Sequence, residues 1–332
     1  MWVAPKHSAA PDAMSQPVVV VLDPLLNAPQ PALEKACWLA SKRGQPLVLY
    51  VNARDRALEA AVGADGERLA RARDSVMTAW QHRLQTLLEE LDAPASTTAL
   101  FWESDDASAL ARLLRTEQPD MVVIHAQRTS GLRRLFFAPL HWQLIQQAPC
   151  AVLCVGDEAW SGRQPVAAAI DLDRDPGAEN SINEAVVASA RRLSTDFGEQ
   201  LTLVNVVEYP DETLVMLAGD ALPVTLGDAD ALKQFYQQRL HEFCEQHGLS
   251  PAQGALLEGP PGPALAEYTD QHGGILVMGA TRHNALHRLF AGPTAQRMLQ
   301  HTHGDVLVIK PPGFVSSWSD APPLDAGQSL PE

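Results

Sequence analysis

Short, continuous apolar runs alternate along this chain with longer stretches in which apolar positions recur at helical spacing. The first run, Val18-Val19-Val20-Val21-Leu22, is closed by Asp23. Every position in it is apolar and most are β-branched, which predicts a strand buried on both faces, as in a parallel sheet. Pro31 to Arg43 predicts a helix closed by Gly44, because glycine readily takes the left-handed conformation after a last helical turn. Leu47-Val48-Leu49-Tyr50-Val51 predicts a second strand, and Thr78 to Leu91 ends a long segment with apolar residues at helical spacing. Thr97 to Trp102 predicts a short third strand, with a helix after it around Ala109-Leu110-Ala111; Met121-Val122-Val123-Ile124 and Cys150 to Val155 supply the fourth and fifth strands. Strands alternating with helices predict a parallel sheet covered by helices on both faces. A ligand of such a sheet sits beyond the strand carboxyl ends, where the strand order reverses.

The same series is written a second time. Leu135-Phe136-Phe137-Ala138-Pro139 returns as Leu289-Phe290-Ala291-Gly292-Pro293, and Leu289 stands 154 positions after Leu135, as Ile309 does after Val155. Val166 to Ile170 with Asp171, a helix over Glu179 to Leu193 leading to Gly198, and Leu201 to Val206 repeat the first half of the pattern. A helix over Leu232 to His247, then Ala255 to Leu257, Ala264-Leu265-Ala266, Ile275 to Met278 and Asp305 to Ile309 repeat the rest. A nearly constant offset over several elements marks one folded unit written twice. The small changes in offset fall between elements, where loops absorb insertions. The expected division is a disordered leader over 1–16, a first domain over 17–157, a second over 164–311 and a disordered tail over 312–332 rich in Pro, Ser and Asp. Met14 is an alternative start to Met1.

With 332 residues, each copy is long enough to bury its own core. The net charge of −15 opposes a nucleic-acid or anionic-membrane partner, since both carry the same sign. The densest basic cluster, Arg128, Arg133 and Arg134, reads as a solvated loop and helix start. Cys37, Cys150, Cys154 and Cys244 include no CxxC pair, and most lie in apolar periodic segments, so they read as buried hydrophobes in a reducing compartment. Cys150 and Cys154, four apart in a strand, share one face and read as core. No apolar run approaches the roughly 18 to 20 residues that cross a bilayer, and the leader lacks the apolar centre of a secretion signal. A cytoplasmic location is expected.

A first strand ending in Asp, a second of the L-x-L-x-x-V type, and a fourth running into Met278-Gly279-Ala280 and then Gly292-Pro293-Thr294 resemble the universal stress protein family. The resemblance covers both copies. With Phe137-Ala138-Pro139-Leu140-His141-Trp142 in the first and Val306-Leu307-Val308-Ile309-Lys310 in the second, the chain is similar to the tandem E-type members. The fold this implies is α/β: two tandem Rossmann-like (adenine nucleotide alpha hydrolase-like) domains, each a five-stranded parallel sheet with helices on both faces. Nucleotide-binding members carry G-x-x-G, nine residues, then G-S/T after the fourth strand. There the glycines let backbone approach phosphate oxygens, and the next helix N-terminus offers unpaired N–H groups. The second copy reads Gly279-Ala280-Thr281-Arg282, nine residues from His283 to Ala291, then Gly292-Pro293-Thr294. Arg282 replaces the second glycine and brings both charge and bulk. Pro293 replaces the hydroxyl residue, and Thr294 keeps a hydroxyl one position later. Carried over residue by residue, the resemblance implies ATP or a related nucleotide in the second domain, held by Asp171, Val206, Gly279, Arg282, Gly292 and Thr294, with Mg²⁺ only alongside ATP. The plainer alternative is that Gly279 and Gly292 only permit turns. The first copy has His125, Arg128, Ala138 and Leu140 at the loop positions, so its site is expected to be degenerate. Asp23, Phe136, Phe137 and Trp142 there suit packing or an apolar ligand.

Catalytic equipment is not in view. No G-x-S-x-G elbow is present, and the loops Asp23-Pro24-Leu25-Leu26-Asn27 and Asp171-Leu172-Asp173-Arg174-Asp175 lack the H-x-G-H or S-G-G motifs of transferase and pyrophosphatase relatives. Asp23 and Asp171 are the best polar candidates, or else caps of the helices that follow. His283 and His287 are joined by no acid or cysteine, so no metal site is expected; His301 and His303 suit the negative end of the last helix. The expectation is a non-enzymatic stress-response binding or regulatory module, with at most slow, incidental ATP hydrolysis. The alternative is a scaffold for partner proteins or an apolar small molecule that never takes a nucleotide. Family analogy places Val152 to Val155 against Val306 to Ile309 as an intramolecular pseudo-dimer and leaves a homodimer open.

Overall fold

The computed structural model describes residues 15–63, 65–126, 140–172, 180–209, 229–280, 298–299 and 302–322. The chain divides into two compact units, Met1–Trp160 together with Phe314–Glu332, and Ser161–Gly313. In the first unit the elements run β1 (Val18–Val21), α1 (Pro31–Arg43), β2 (Leu47–Asn52), α2 (Arg56–Val62), α3 (Gly66–Glu90), β3 (Ser96–Phe101), α4 (Asp106–Glu117), β4 (Met121–His125), α5 (Leu140–Gln147) and β5 (Ala151–Val155). Its strands lie in the order β3-β2-β1-β4-β5, paired in parallel. The chain steps outward from β1 through β2 to β3 and then returns to the other side of β1, so the order reverses between β1 and β4. Right-handed crossovers put the helices of the two arms on opposite faces of the sheet.

The strands form where the apolar runs stand. All four residues of β1 are buried, as a central parallel strand requires. The α1 helix begins with Pro31, whose missing N–H leaves no helical bond unmade, and packs Leu33, Ala36, Leu39 and Ala40 inward against β1 and β4. Gly44 at φ 63° closes it, its N–H reaching the Ala40 and Ser41 carbonyls. Gly198 at φ 67° closes the matching helix of the second unit.

That second unit repeats the topology. It contains β6 (Val166–Ala169), α6 (Asn180–Phe197), β7 (Leu201–Val207), α7 (Ala229–Gln246), β8 (Gly254–Glu258), α8 (Pro261–His272), β9 (Ile275–Gly279) and β10 (Asp305–Ile309). Its strand order is β8-β7-β6-β9-β10, again parallel, with the reversal between β6 and β9.

Three expectations need correction. The helix expected from Thr78 starts at Gly66, and α2 precedes it. Neither stretch has an apolar stripe to betray it: α2 buries no residue, and α3 buries only Met77, Trp80, Leu84 and Leu87 in its later half. Caps start them instead, Asp55 accepting from the Ala57 and Leu58 amides and Asp65 from the Arg68 amide. Second, Asp23 does not cap α1. Gln30 holds that position, and the Asp23 carboxylate accepts from the Leu25 amide in a local turn. Third, the expected disordered tail carries structure. A 3-10 turn spans Ser317–Asp320, with Trp318 only 8% exposed. Residues 1–14 of the leader and 323–332 of the tail lie outside the described residues.

The start of the link between units is pinned as well. Trp160 packs edge-on against Trp38 at 5.5 Å, and the buried Lys35 donates to the Gly156 carbonyl at 3.1 Å, its ammonium 5.7 Å from the Trp160 ring centre. No described helix is long and apolar enough to cross a membrane.

Candidate functional site

In each unit an aspartate two residues past the first strand has its backbone gripped by a side-chain amide. The Asp23 amide donates to Gln30 Oε1 at 2.9 Å while Gln30 Nε2 donates to the Asp23 carbonyl at 3.2 Å. Asn183 of α6 does the same for Asp171, at 3.1 and 2.8 Å. Two reciprocal bonds orient the strand end and satisfy backbone groups that have left the ladder. The fixed end is the one that faces the reversal point, where ligands of open α/β sheets bind.

The second unit brings three of the predicted residues together. Ala169 pairs with Val204 and the Ile170 amide bonds the Val204 carbonyl, so Asp171 and Val206, each two residues beyond that pair, come level on neighbouring strands. Gly279 ends β9 on the other side of β6. Arg282, Gly292 and Thr294 lie outside the described residues, as do His283, His287 and Pro293. Gly279 is not in the left-handed region, so it does not serve a turn. A Cβ there would come within 2.5 Å of Ile182 Cγ1 and 3.0 Å of Ile182 Cδ1. Close seating of α6 on the end of β9 is therefore what requires glycine.

One residue escaped the sequence reading. Asn205 on β7 is 3% exposed; its Oδ1 accepts from the Leu172 amide at 3.4 Å, while its buried Nδ2 has no acceptor among the described residues. A buried donor left unpaired costs about 1–3 kcal/mol. Its only sequence signal is an amide inside the apolar run Leu201 to Val207.

The first unit fills the same places differently. His125 stands where Gly279 stands in the copy, and its Nε2 lies 2.8 Å from an Asp157 carboxylate oxygen, just past β5. Its Nδ1 is buried without a partner among the described residues. Asn52 takes the place of Val206 and is already engaged, donating to the Glu103 carbonyl and accepting from the Glu103 amide, both at 3.0 Å. Arg112 pairs with Glu103 at 3.1 Å, and Arg54 makes a two-pronged contact with Glu59, which also accepts from Trp102 Nε1 at 3.2 Å. These strand ends are occupied by their own side chains. Phe136, Phe137, Arg128 and Ala138 lie outside the described residues.

Other candidates resolve into structural roles. His303 pairs with Asp270, its amide donating at 2.7 Å and its Nδ1 lying at 3.1 Å. Burial works to raise the Asp270 carboxyl, and bonds from the His303 amide and ring and the Thr302 hydroxyl outweigh it and hold it low. No disulfide joins the four cysteines; Cys154 lies in β5 and Cys150 just before it. Burial, with Glu34 nearby, pushes the Cys37 thiol up to about 11, where it is un-ionised and unreactive at neutral pH. Grooves of about 500 and 520 Å³ run along α3 beside Trp102 and along α6 beside His247, and neither includes Asp23, Asp171 or Gly279.

Residues 14–156 and 164–310 match the universal stress protein family. Universal stress protein E of Photorhabdus laumondii subsp. laumondii is 24% identical over 311 residues, covering 90% of this chain and 96% of that protein. Universal stress protein E of Escherichia coli K12 is 24% identical over 306 residues, covering 90% and 95%. Among solved structures, a functionally unknown protein from Pseudomonas aeruginosa PAO1 aligns with a TM-score of 0.64 at 19% identity, over 90% of this chain and 93% of its own. A universal stress protein from Archaeoglobus fulgidus DSM 4304 aligns with a TM-score of 0.63 at 11% identity, over 90% and 97%. At these identities the structural likeness concerns the fold. With two matched segments, each carrying the same five-strand order and the same amide-clamped aspartate, the chain belongs to the universal stress protein family as a tandem, two-domain member.

Proposed function

We propose that the second domain binds an adenine nucleotide in the crevice between β6 and β9, and that the chain serves as a cytoplasmic stress-response binding module gated by that ligand. The observation that carries this reading is the buried Asn205 Nδ2, without an acceptor among the described residues, beside the strand ends near Asp171, Val206 and Gly279. A ligand with acceptors at this edge gives the buried donor a partner. Mg²⁺ enters only with the triphosphate. The first domain takes no such ligand, since His125 and Asn52 are already committed to Asp157 and Glu103. No residue is assigned a catalytic role, and ATP hydrolysis is slow and incidental. Pairing of the two copies and a homodimer belong to the same proposal and rest on the family resemblance.

Isothermal titration with ATP and Mg²⁺ tests it. Heat of binding is expected for the natural chain, its loss with Gly292→Asp through charge and bulk, and roughly tenfold weakening with Asn205→Leu, the equivalent of one hydrogen bond. No heat at millimolar ATP overturns the reading. A second reading, a scaffold that never takes a nucleotide, is favoured by one observation: Ile182 alone accounts for glycine at 279. On that reading Asn205→Leu changes stability and nothing else.

A further inference from the structure

Beyond β10 the chain passes through Pro311-Pro312-Gly313 and its residues from Phe314 onward belong to the first unit. There the 3-10 turn over Ser317–Asp320 packs against α4, which in turn packs against α5. The contact satisfies helix ends on both sides. The Ser316 hydroxyl donates to the carbonyl of Gln147, the last residue of α5, and accepts from the Trp318 amide at 3.0 Å, which starts the turn. The Ser317 hydroxyl donates to Gln147 Oε1 at 3.1 Å. From the last turn of α4, Arg115 Nη1 donates to the Ser319 and Ala321 carbonyls, both at 2.6 Å, at the turn's far end. Terminal carbonyls of helices lack partners within their own helix. Here the Ser316 hydroxyl and the Arg115 guanidinium supply them.

The contact therefore has the parts of a recognition site. Trp318 is a buried aromatic anchor, the residue type that most often dominates a docking contact. Ser316 and Ser317 read the end of α5, and Arg115 reads the backbone shape of the turn, which only a segment already curled as a 3-10 turn presents. Among the described residues, none of the five strands of the unit pairs with this segment. We propose that the surface formed by the ends of α4 and α5 is a binding site for Ser-Ser-Trp-Ser turns, and that the chain's own residues 316–321 are its resident ligand. Held in cis at an effective concentration on the order of millimolar, the tail shields the site from similar segments of other chains.

A fluorescently labelled peptide of residues 313–322, followed by anisotropy, tests this with the full chain. The natural chain is expected to bind it poorly, because its own tail competes. Trp318→Ala should bind at least tenfold tighter, and adding Arg115→Ala, an exposed position, should reverse that gain. Equal binding by the natural and Trp318→Ala chains, or a double variant that binds as well as Trp318→Ala, overturns the proposal. Should Trp318→Ala fail to fold, Arg115→Ala alone decides. Limited proteolysis within residues 313–322 should then speed up about tenfold with cleavage elsewhere unchanged, and an unchanged tail rate overturns it.

Discussion

At the residue scale, Tyr50 and Asp106 show how the first domain settles its own polar groups. Tyr50 is buried on β2, and its hydroxyl donates to the carboxylate of Asp106, the first residue of α4. Burial pushes the Tyr50 phenol far up, and the neighbouring Asp106 charge adds to it. Burial also raises the Asp106 carboxyl above its ordinary 3.8, bonds from Tyr50 and Asn52 pulling it part of the way back. The sign follows: the folded state holds this proton to a higher pH than the unfolded chain, so ionisation of Asp106 weighs against folding as pH climbs above 3.8. The tyrosine donor is what makes the ionised form tolerable. Tyr50→Phe should therefore cost about 1–3 kcal/mol at pH 7, and distinctly less near pH 4, where more of the carboxyl stays protonated. Urea unfolding at the two pH values checks it; equal losses at both would separate the bond from the charge. In the sequence Tyr50 is one more apolar strand position, because its partner lies 56 residues away and no spacing announces it.

At the scale of elements, the packing of α6 on β9 explains a residue that the motif alone assigns to phosphate. Gly279→Ala places a methyl group 2.5 Å from Ile182 Cγ1, and branched isoleucine has little freedom to move aside. The expected loss is about 1–3 kcal/mol, the usual result of overfilling a packed interior. Ile182→Ala in the same chain should give part of it back, a non-additive pair; strictly additive losses in a denaturation cycle would point to some cause other than this contact. The strands were legible because each apolar run has a single burial solution, and α1 because Pro31 and Gly44 punctuate it. The early half of α3 was not, since Asp65 starts it and no apolar stripe does. Asp171 was legible through its copy Asp23. The idle Asn205 donor and the Ile182 contact were not, because both depend on how neighbouring elements seat against the strand ends. Trp318 escaped for a related reason: a single anchor and a few helix-end bonds order a segment whose composition argues for disorder.

At the scale of the whole molecule, an accident of composition separates the two domains spectroscopically. All seven tryptophans, Trp2, Trp38, Trp80, Trp102, Trp142, Trp160 and Trp318, belong to the first unit, and Ser161–Gly313 contains none. Tryptophan fluorescence therefore follows unfolding of the first domain, whereas far-ultraviolet circular dichroism follows both. Multidomain chains need not unfold as one step, so the two probes are free to diverge. A ligand that binds only a folded domain stabilises it by about 2.7 kcal/mol at a hundred times its dissociation constant, which for a domain of this size raises the midpoint by roughly 5–10 °C. If the nucleotide site lies in the second domain, saturating ATP and Mg²⁺ should delay part of the dichroism transition and leave the fluorescence midpoint where it was. No movement in either probe counts against nucleotide binding altogether. An equal rise in both means either that the first domain holds the ligand or that the two units unfold together. Asn205→Leu tells these apart, since its roughly tenfold weaker binding cuts the rise to about half only when the ligand sits beside β7.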